Sequence, residues 1–313
     1  MTQAAETAEL TFGRHETFPF RYGWLQRGVG AAMADPDVFN RDDAGVVLGV
    51  GKNMVRSIRF WCTATQLLAE VPNPENPRTR HLIPTTWAKK LFDHKRGWDP
   101  FLEDEGTLWL LQWLLLSPPC IATAWRFFFN RFRTGEFTRE RVTTDLMQYS
   151  VEADGKRLAM TTMRRDVDCL VRMYVPRGVE GDGRIPFEDT LDCPFGELGL
   201  ISCDPGRRFF RRHIGAKRSL PPSVLMYALA DFARRRQATS LSLSAATYDE
   251  DSPGAVFGLD EQAVEALAVG FTQDNNDSGV QLSTVAGLRH VYFDDKLTKD
   301  PTRILQAYYR GRA

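Results

Sequence analysis

Apolar residues recur at helical spacing in the stretch 46–68, and this stretch carries the clearest pattern in the chain. Val55, Ile58 and Cys62 lie three or four positions apart, which predicts a helix with one buried face. The segment 49–51 contains two glycines and follows a shorter apolar run, so the pattern predicts two helices joined by a tight turn. The other face of the second helix is polar and basic, and it carries Lys52, Asn53, Arg56, Ser57 and Arg59.

Two helices in this order are typical of a helix-turn-helix, in which the start of the second helix enters the DNA major groove. Basic and amide side chains there donate hydrogen bonds to phosphates and base edges. We therefore predict that this helix reads DNA. An amphipathic core helix with a solvated basic face is the alternative that the pattern leaves open.

The segment that follows this helix resembles the wing of a winged helix. Residues 70–80 contain three prolines and predict a loop, in which Arg78 and Arg80 are candidate DNA ligands. Residues 81–84 predict a short strand, and 87–92 predict a helix capped by Thr85 or Thr86. A plain connector between two helices is the alternative for the loop.

A similar pattern of two helices recurs after residue 137. Residues 137–149 predict a helix capped by Thr138, and 163–174 predict a second helix with a cap at Thr161 or Thr162. Two arginines on the polar face of the second helix are further candidate DNA ligands, namely Arg164 and Arg165. The turn between these helices is long, and Asp168 dilutes the basic face.

The remaining patterns complete the predicted architecture. Residues 98–135 are apolar and aromatic and predict a helical hairpin that is broken at the two prolines 118–119. Residues 259–269 predict another helix, and 280–293 alternate between strand and turn residues. The predicted fold class is α+β, mostly helical, with winged-helix-like units in tandem and a central aromatic helical hairpin. The predicted units are 1–95, 96–136, 137–236 and 237–313.

Composition narrows the class of protein. The chain has 313 residues, 43% of them apolar, and its apolar runs are too short to cross a bilayer. Residues 1–10 lack the pattern of a signal peptide. The five cysteines are widely spaced and form no C-x-x-C pair, so we expect no structural zinc site and a reduced, cytoplasmic location.

The formal net charge is zero, but the basic residues are unevenly placed. The segment 207–218 carries six positive side chains and no acid. Local basic surface of this kind is compatible with DNA binding, and equally with a homo-oligomer whose subunits pair by charge. The predicted DNA ligands in this segment are Arg207, Arg208, Arg211 and Arg212.

Candidate catalytic chemistry lies in the segment 12–24, which combines Arg14, His15 and Glu16 in one irregular stretch. We hypothesise that Glu16 binds a divalent metal, Mg²⁺ or Mn²⁺, together with Asp99 or Glu103. In this hypothesis His15 transfers a proton and Arg14 stabilises charge. The alternatives are a strap over the core for the first segment and a solvated helix start for the acids of 99–105.

Four segments together resemble one bacterial family: FGRHETFPFRYGWLQRGV, VLGVGKNMVRSIRFWCTATQLL, GWDPFLEDEGTLWLLQWLL and MRRDVDCLVRMY. It is the SspB-like DNA nickase family of DNA phosphorothioation and phage-defence systems, long catalogued as a domain of unknown function. The resemblance extends from Phe12 to about Tyr309. It implies a protein that nicks one strand of double-stranded DNA beside a cysteine desulfurase, an ATPase and an ATP-pyrophosphatase-like enzyme.

The resemblance transfers no catalytic residues, and the sequence contains no Walker A, G-x-S-x-G or H-E-x-x-H motif. Two function classes therefore stay open. One is a metal-assisted DNA nickase. The other is a non-catalytic winged-helix reader or adaptor that recruits modification enzymes.

Overall fold

The structure is a computed structural model that describes residues 10–93, 95–155, 158–175, 193–275, 278–285 and 287–312. It confirms an α+β protein with many helices and small antiparallel sheets. No helix within these ranges combines the length and apolar character that a membrane crossing requires. The predictions for residues 1–9, including the absence of a signal peptide, lie outside the described residues.

The N-terminal part contains four helices and a β-hairpin: α1 (Trp24–Ala34), α2 (Ala44–Leu48), α3 (Lys52–Ala64), β1 (Leu68–Pro72), β2 (Arg80–Pro84) and α4 (Thr86–Phe92). The predicted turn between α2 and α3 is present because Gly49, at φ 62°, ends α2 in the left-handed conformation. Thr85 caps α4, as predicted, by accepting a hydrogen bond from the amide of Ala88.

The predicted loop 70–80 is shorter in the structure. Its first three residues belong to β1, which pairs antiparallel with β2 so that Leu68 lies opposite Pro84. Leu68 and Leu82 are buried, and their burial pairs the two strands despite the prolines in the segment. The connecting loop is therefore 73–79.

The central part is helical: α5 (Glu105–Leu116), α6 (Thr123–Asn130), a two-residue strand β3 (Glu136–Phe137), α7 (Arg139–Asp154) and α8 (Met160–Tyr174). The helix cap predicted at Thr138 is confirmed. The cap predicted at Thr161 or Thr162 is wrong, because α8 begins at Met160 and both threonines lie inside it.

The aromatic segment does not fold as the predicted hairpin. Helix α5 packs mainly against two later helices, and α6 packs mainly on α7 and α8. Every residue of α5 after Glu105 is buried, so the helix needs apolar neighbours on all sides, and one partner helix cannot supply them.

The described residues of the C-terminal part form six α-helices, a three-stranded sheet and two strands that complete another sheet with β3. The first sheet has the order β3-β5-β4 and the second β6-β8-β7, and both are antiparallel. Its elements are β4 (Ile201–Cys203), β5 (Phe210–Arg212), α9 (Pro222–Arg235), β6 (Ser240–Ser242), α10 (Leu243–Tyr248), α11 (Pro253–Phe257), α12 (Glu261–Asp274), β7 (Val280–Val285), β8 (Leu288–Phe293), α13 (Asp295–Lys299) and α14 (Thr302–Arg310). Short 3₁₀ helices cover Val38–Asn40 and Pro194–Leu198.

The buried apolar side chains join in one hydrophobic core that extends from Phe20 to Tyr309. Trp61 on α3, Trp113 on α5 and Trp125 on α6 are buried within it. The division into four units stays a prediction. The shared core fixes the positions of α3 and α8, the two helices that carry the candidate site.

Candidate functional site

A strap formed by residues 11–17 runs between α3 and α8 and is fastened to α8 by one buried carboxylate. The amide of Gly13 donates to Asp166 Oδ1 at 2.9 Å, and His15 Nε2 lies 3.0 Å from the same oxygen. His15 and Asp166 are only 1% and 2% exposed. A buried carboxylate needs such donors to offset its lost hydration, so the strap and α8 stabilise each other.

The bonds of the His15 ring define its tautomer. The amide of Thr17 donates to Nδ1 at 3.1 Å, so Nδ1 is the acceptor and Nε2 carries the hydrogen that it donates to Asp166. The rings of Trp61 and Trp125 enclose the imidazole at centroid distances of 6.1 and 5.5 Å. Both ring nitrogens are therefore occupied inside the protein. This arrangement supports the strap interpretation of His15 over proton transfer to DNA.

The strap turns sharply where it reaches the surface. Glu16 and Thr17 have φ values of 49° and 67°, a left-handed conformation that side chains other than glycine seldom adopt. Two successive residues of this kind cost free energy, and such conformations cluster at functional sites. The turn leaves the Glu16 side chain at the surface next to α3.

A cleft of about 760 Å³ opens between the strap and α3. It brings together two predicted catalytic residues, Arg14 and Glu16, and two predicted DNA ligands, Arg56 and Arg59. Arg14 and Arg56 are exposed, and Arg59 is partly so. Three arginines against two glutamates leave the cleft with a net positive charge.

The two acids of the cleft each contact one arginine. Glu16 Oε1 lies 3.4 Å from Arg56, and Glu70 Oε1 accepts from Arg59 at 2.9 Å. Solvent screens these half-exposed ion pairs, so a phosphate can displace either carboxylate at low cost. The cleft is chemically suited to a polyanion.

The other predicted DNA ligands of the N-terminal part differ in their solvent exposure. Lys52 and Asn53 are exposed at the start of α3, and Arg78 and Arg80 are exposed on the hairpin. Ser57 is buried, and its hydroxyl donates to the carbonyl of Phe18 at 3.2 Å. Its prediction as a DNA ligand is wrong, because the chain that follows the strap covers this side of α3.

The later arginines also differ from one another. Arg164 and Arg165 are exposed on α8, and Arg208 is exposed in the turn between β4 and β5. Arg207 in the same turn is partly exposed, and Arg211 on β5 pairs with Glu136.

Arg212 does not have the DNA-binding role that the sequence predicted. Its guanidinium donates to the carbonyls of Phe128 and Phe132 at the end of α6 and lies over the Phe128 ring. Burial lowers the pKa of Arg212 to about 10. The side chain thus satisfies the last carbonyls of α6 and is not available to DNA.

The predicted metal ligands are not brought together. Asp99 is buried and accepts from the amides of Glu103 and Asp104 at 2.9 and 3.1 Å, whereas Glu16 faces Arg56 in the cleft. Across the described ranges, no group of three His, Cys, Asp or Glu side chains is placed to hold a metal. The combination of Glu16 with Asp99 and Glu103 is therefore wrong as a preformed site.

Sequence reasoning missed Asp166, which fastens the strap. A signal was available, because Asp166 lies on the apolar stripe of α8 between Met163 and Leu170, where an acid is unusual. It also missed the cleft residues Thr63 and Glu70, which no local pattern marks.

Comparisons with known proteins place this geometry in context. A family model described as "Protein of unknown function (DUF4007)" matches residues 12–309. A crystal structure of SspB has a TM-score of 0.88 and 32% sequence identity, and the match covers 98% of this chain and 91% of that chain. A magnesium ion-bound crystal structure of SspB has a TM-score of 0.87 and 32% identity, with 98% and 90% covered. No curated protein matches the sequence.

Proposed function

The chain belongs to the family described as a protein of unknown function (DUF4007), and from this membership we propose that it nicks one DNA strand in a bacterial phosphorothioation and phage-defence system. The resemblance to SspB-like proteins is confirmed by two structures at 32% identity. Its proposed protein partners are a cysteine desulfurase, an ATPase and an ATP-pyrophosphatase-like enzyme. The substrate is double-stranded DNA.

One observation carries the proposal: predicted catalytic and DNA-binding residues from distant parts of the sequence line one cleft. Arg14 and Glu16 come from the strap, and Arg56 and Arg59 come from α3. The order of α2, α3 and the β1–β2 hairpin supports a winged-helix-like arrangement, with α3 as reading helix and loop 73–79 as wing. The cleft lies alongside that helix, so a duplex bound to α3 would have its backbone at Arg14.

The cleft offers charge stabilisation for strand scission. Cleavage of a phosphodiester builds negative charge on the phosphate oxygens, and arginine donors stabilise that charge. Arg14 is the exposed candidate for this role. Since His15 is enclosed, its proposed role is to position the strap. None of the described histidines is proposed to transfer a proton.

A divalent ion, Mg²⁺ or Mn²⁺, is part of the proposal. Magnesium in phosphoryl-transfer sites is held by one or two carboxylates together with phosphate oxygens, and when bound it supplies further charge stabilisation. Glu16 and Glu70 are the carboxylates that line the cleft, so Glu16 fits as a ligand that DNA would complete. Asp99 and Glu103 do not line it.

The direct test is nicking of supercoiled plasmid by the purified protein, with and without Mg²⁺ or Mn²⁺ and with its partner proteins present. The double variant Arg56→Glu and Arg59→Glu should lose duplex binding and nicking, because repulsion replaces two phosphate contacts. The matched control is Arg289→Glu, which removes an exposed arginine on β8 that pairs with Glu265 on α12. Unchanged DNA binding by the double variant would remove α3 as the reading helix.

A second candidate is a non-catalytic DNA reader that recruits modification enzymes. The enclosure of His15 favours it, because that histidine was the main candidate for proton transfer. Tight DNA binding, no nicking under any metal or partner condition, and retained association with the partner proteins would establish this function instead.

A further inference from the structure

The turn between β4 and β5, residues 204–209, ends in an exposed aromatic ring. Phe209 is 60% exposed, although the next residue, Phe210, is 1% exposed and stacks on Phe137 at 5.6 Å. Neighbouring residues of an extended chain point to opposite sides, so the core holds Phe210 and the turn presents Phe209 outward.

Asp204 holds this turn in one shape. Its carboxylate accepts from the amides of Gly206, Arg208 and Phe209 at 3.1, 2.8 and 2.6 Å. These bonds, above all the bond from Phe209, lower the pKa of Asp204. The backbone amides of Gly206, Arg208 and Phe209 thus engage the carboxylate and fix the course of the turn.

A side chain from α7 also contacts this turn. Arg139 on α7 lies over the Phe210 ring at 4.6 Å and donates to the carbonyl of Arg207 at 3.2 Å. Arg139 in turn pairs with Asp168 on α8 at 3.3 Å. Since Asp166 on the same helix fastens the strap, α8 connects the turn to the cleft.

We infer that this turn is a base-stacking finger, in which Phe209 stacks on an unpaired DNA base while Arg208 and Arg211 contact the flanking phosphates. The inference rests on the proposed function and adds to it a contact with distorted or single-stranded DNA. An exposed aromatic ring flanked by cations is what proteins use to stack on bases or to separate a base step. Arg208 is exposed, and solvent screens the exposed pair of Arg211 and Glu136, so the phosphates of a nucleic acid can engage both arginines.

The test compares DNA binding to an intact duplex and to the same duplex with a one-nucleotide gap opposite 2-aminopurine. Phe209→Ala should weaken binding to the gapped duplex by about five- to a hundredfold, the range expected for loss of one aromatic–base stack, and should abolish the change in 2-aminopurine fluorescence. Phe209→Trp should retain both, and DNA should quench the emission of the introduced indole. Arg208→Gln should weaken binding to both duplexes by the same factor.

The matched control is Phe101→Ala, which removes another exposed phenylalanine, 68% exposed, from a turn rich in acids. It should bind both duplexes like the unmodified protein. Equal binding and fluorescence for Phe209→Ala and the unmodified protein would overturn the finger and leave the proposed function intact. Loss of partner-protein association by Phe209→Ala, with DNA binding unchanged, would overturn it in favour of a protein contact. Failure of the unmodified protein to bind any DNA would overturn the proposed function as well.

Discussion

The strap of residues 11–17 and the acidic turn of residues 99–104 are built alike, yet they present very different surfaces. Each is an irregular segment fastened by a buried aspartate that accepts backbone amides, Asp166 for the strap and Asp99 for the acidic turn. In the cleft, Arg14 and Arg56 remain exposed. In the acidic turn, Asp104 is occupied by the amide of Gly106, the Tyr308 hydroxyl and Arg312.

The difference teaches that charged residue types do not by themselves define a site. Both segments contain acids that suit a metal or a catalyst, but three donors occupy three of the roughly four lone-pair sites of a carboxylate and leave little room for a ligand. Two of the three donors of Asp104 come from α14 and the residues after it, more than 200 positions away in the chain. Long-range packing therefore decides whether an acidic side chain is available to a ligand.

The largest effect should follow from removing Asp166. Asp166→Ala leaves the buried His15 Nε2 and the partly buried Gly13 amide without an acceptor, so we expect the free energy of unfolding to fall by about 3 kcal/mol. Asp99→Ala should cost about 1 kcal/mol, because it leaves no buried imidazole without an acceptor and we expect water to bind the amide of the exposed Glu103. Urea unfolding of both variants measures the two losses. Equal losses in the free energy of unfolding would show that the two aspartates stabilise the fold by the same amount, contrary to this prediction.

The next effect concerns the two candidate metal ligands. Glu16→Gln should lower plasmid nicking in Mg²⁺ by roughly a hundredfold while DNA binding is retained, a scale typical of groups that act in the chemical step. Glu103→Gln should nick at the rate of the unmodified protein. Strong loss in the second variant and none in the first would move the proposed metal ligand from the cleft to the acidic turn.

A smaller effect is expected for a single arginine of each region. Arg14→Gln should weaken duplex binding by roughly tenfold and reduce the log–log salt slope by about one, because one phosphate contact is lost. Arg312→Gln removes an arginine that pairs with Asp104, and it should leave both quantities unchanged. Fluorescence anisotropy at several salt concentrations measures the affinity and the slope together. An unchanged slope for Arg14→Gln would remove Arg14 from the DNA path.

The smallest effect tests whether the cleft acids restrain the arginines. Glu70→Gln frees Arg59 from its ion pair, so duplex affinity should rise by about two- to fivefold. The free energy of unfolding should change by less than about 1 kcal/mol, since the pair is half exposed. A fall in affinity would mean that Glu70 itself contacts the ligand.

Features set by interactions between neighbouring residues could be predicted from the sequence, whereas features set by contacts between distant residues could not. The turn between two helices at Gly49, the cap at Thr85 and the mostly helical α+β class follow from neighbouring residues, and the structure confirms them. Ser57 was misassigned because helical spacing gives its face on α3 but not the segment that covers it. Arg212 was misassigned because only the folded chain brings it to the end of α6.

The fastening of the strap to α8 has a consequence for the newly made chain. Gly13 and Asp166 are 153 positions apart, so the strap is not fastened until α8 has left the ribosome. At roughly 5–20 residues per second, this delay is about 8–30 seconds. During that time the strap and the arginines of α3 are already synthesised, but the strap is not yet fastened opposite them. The completed cleft therefore appears late in synthesis, and a nascent fragment that ends before α8 lacks it.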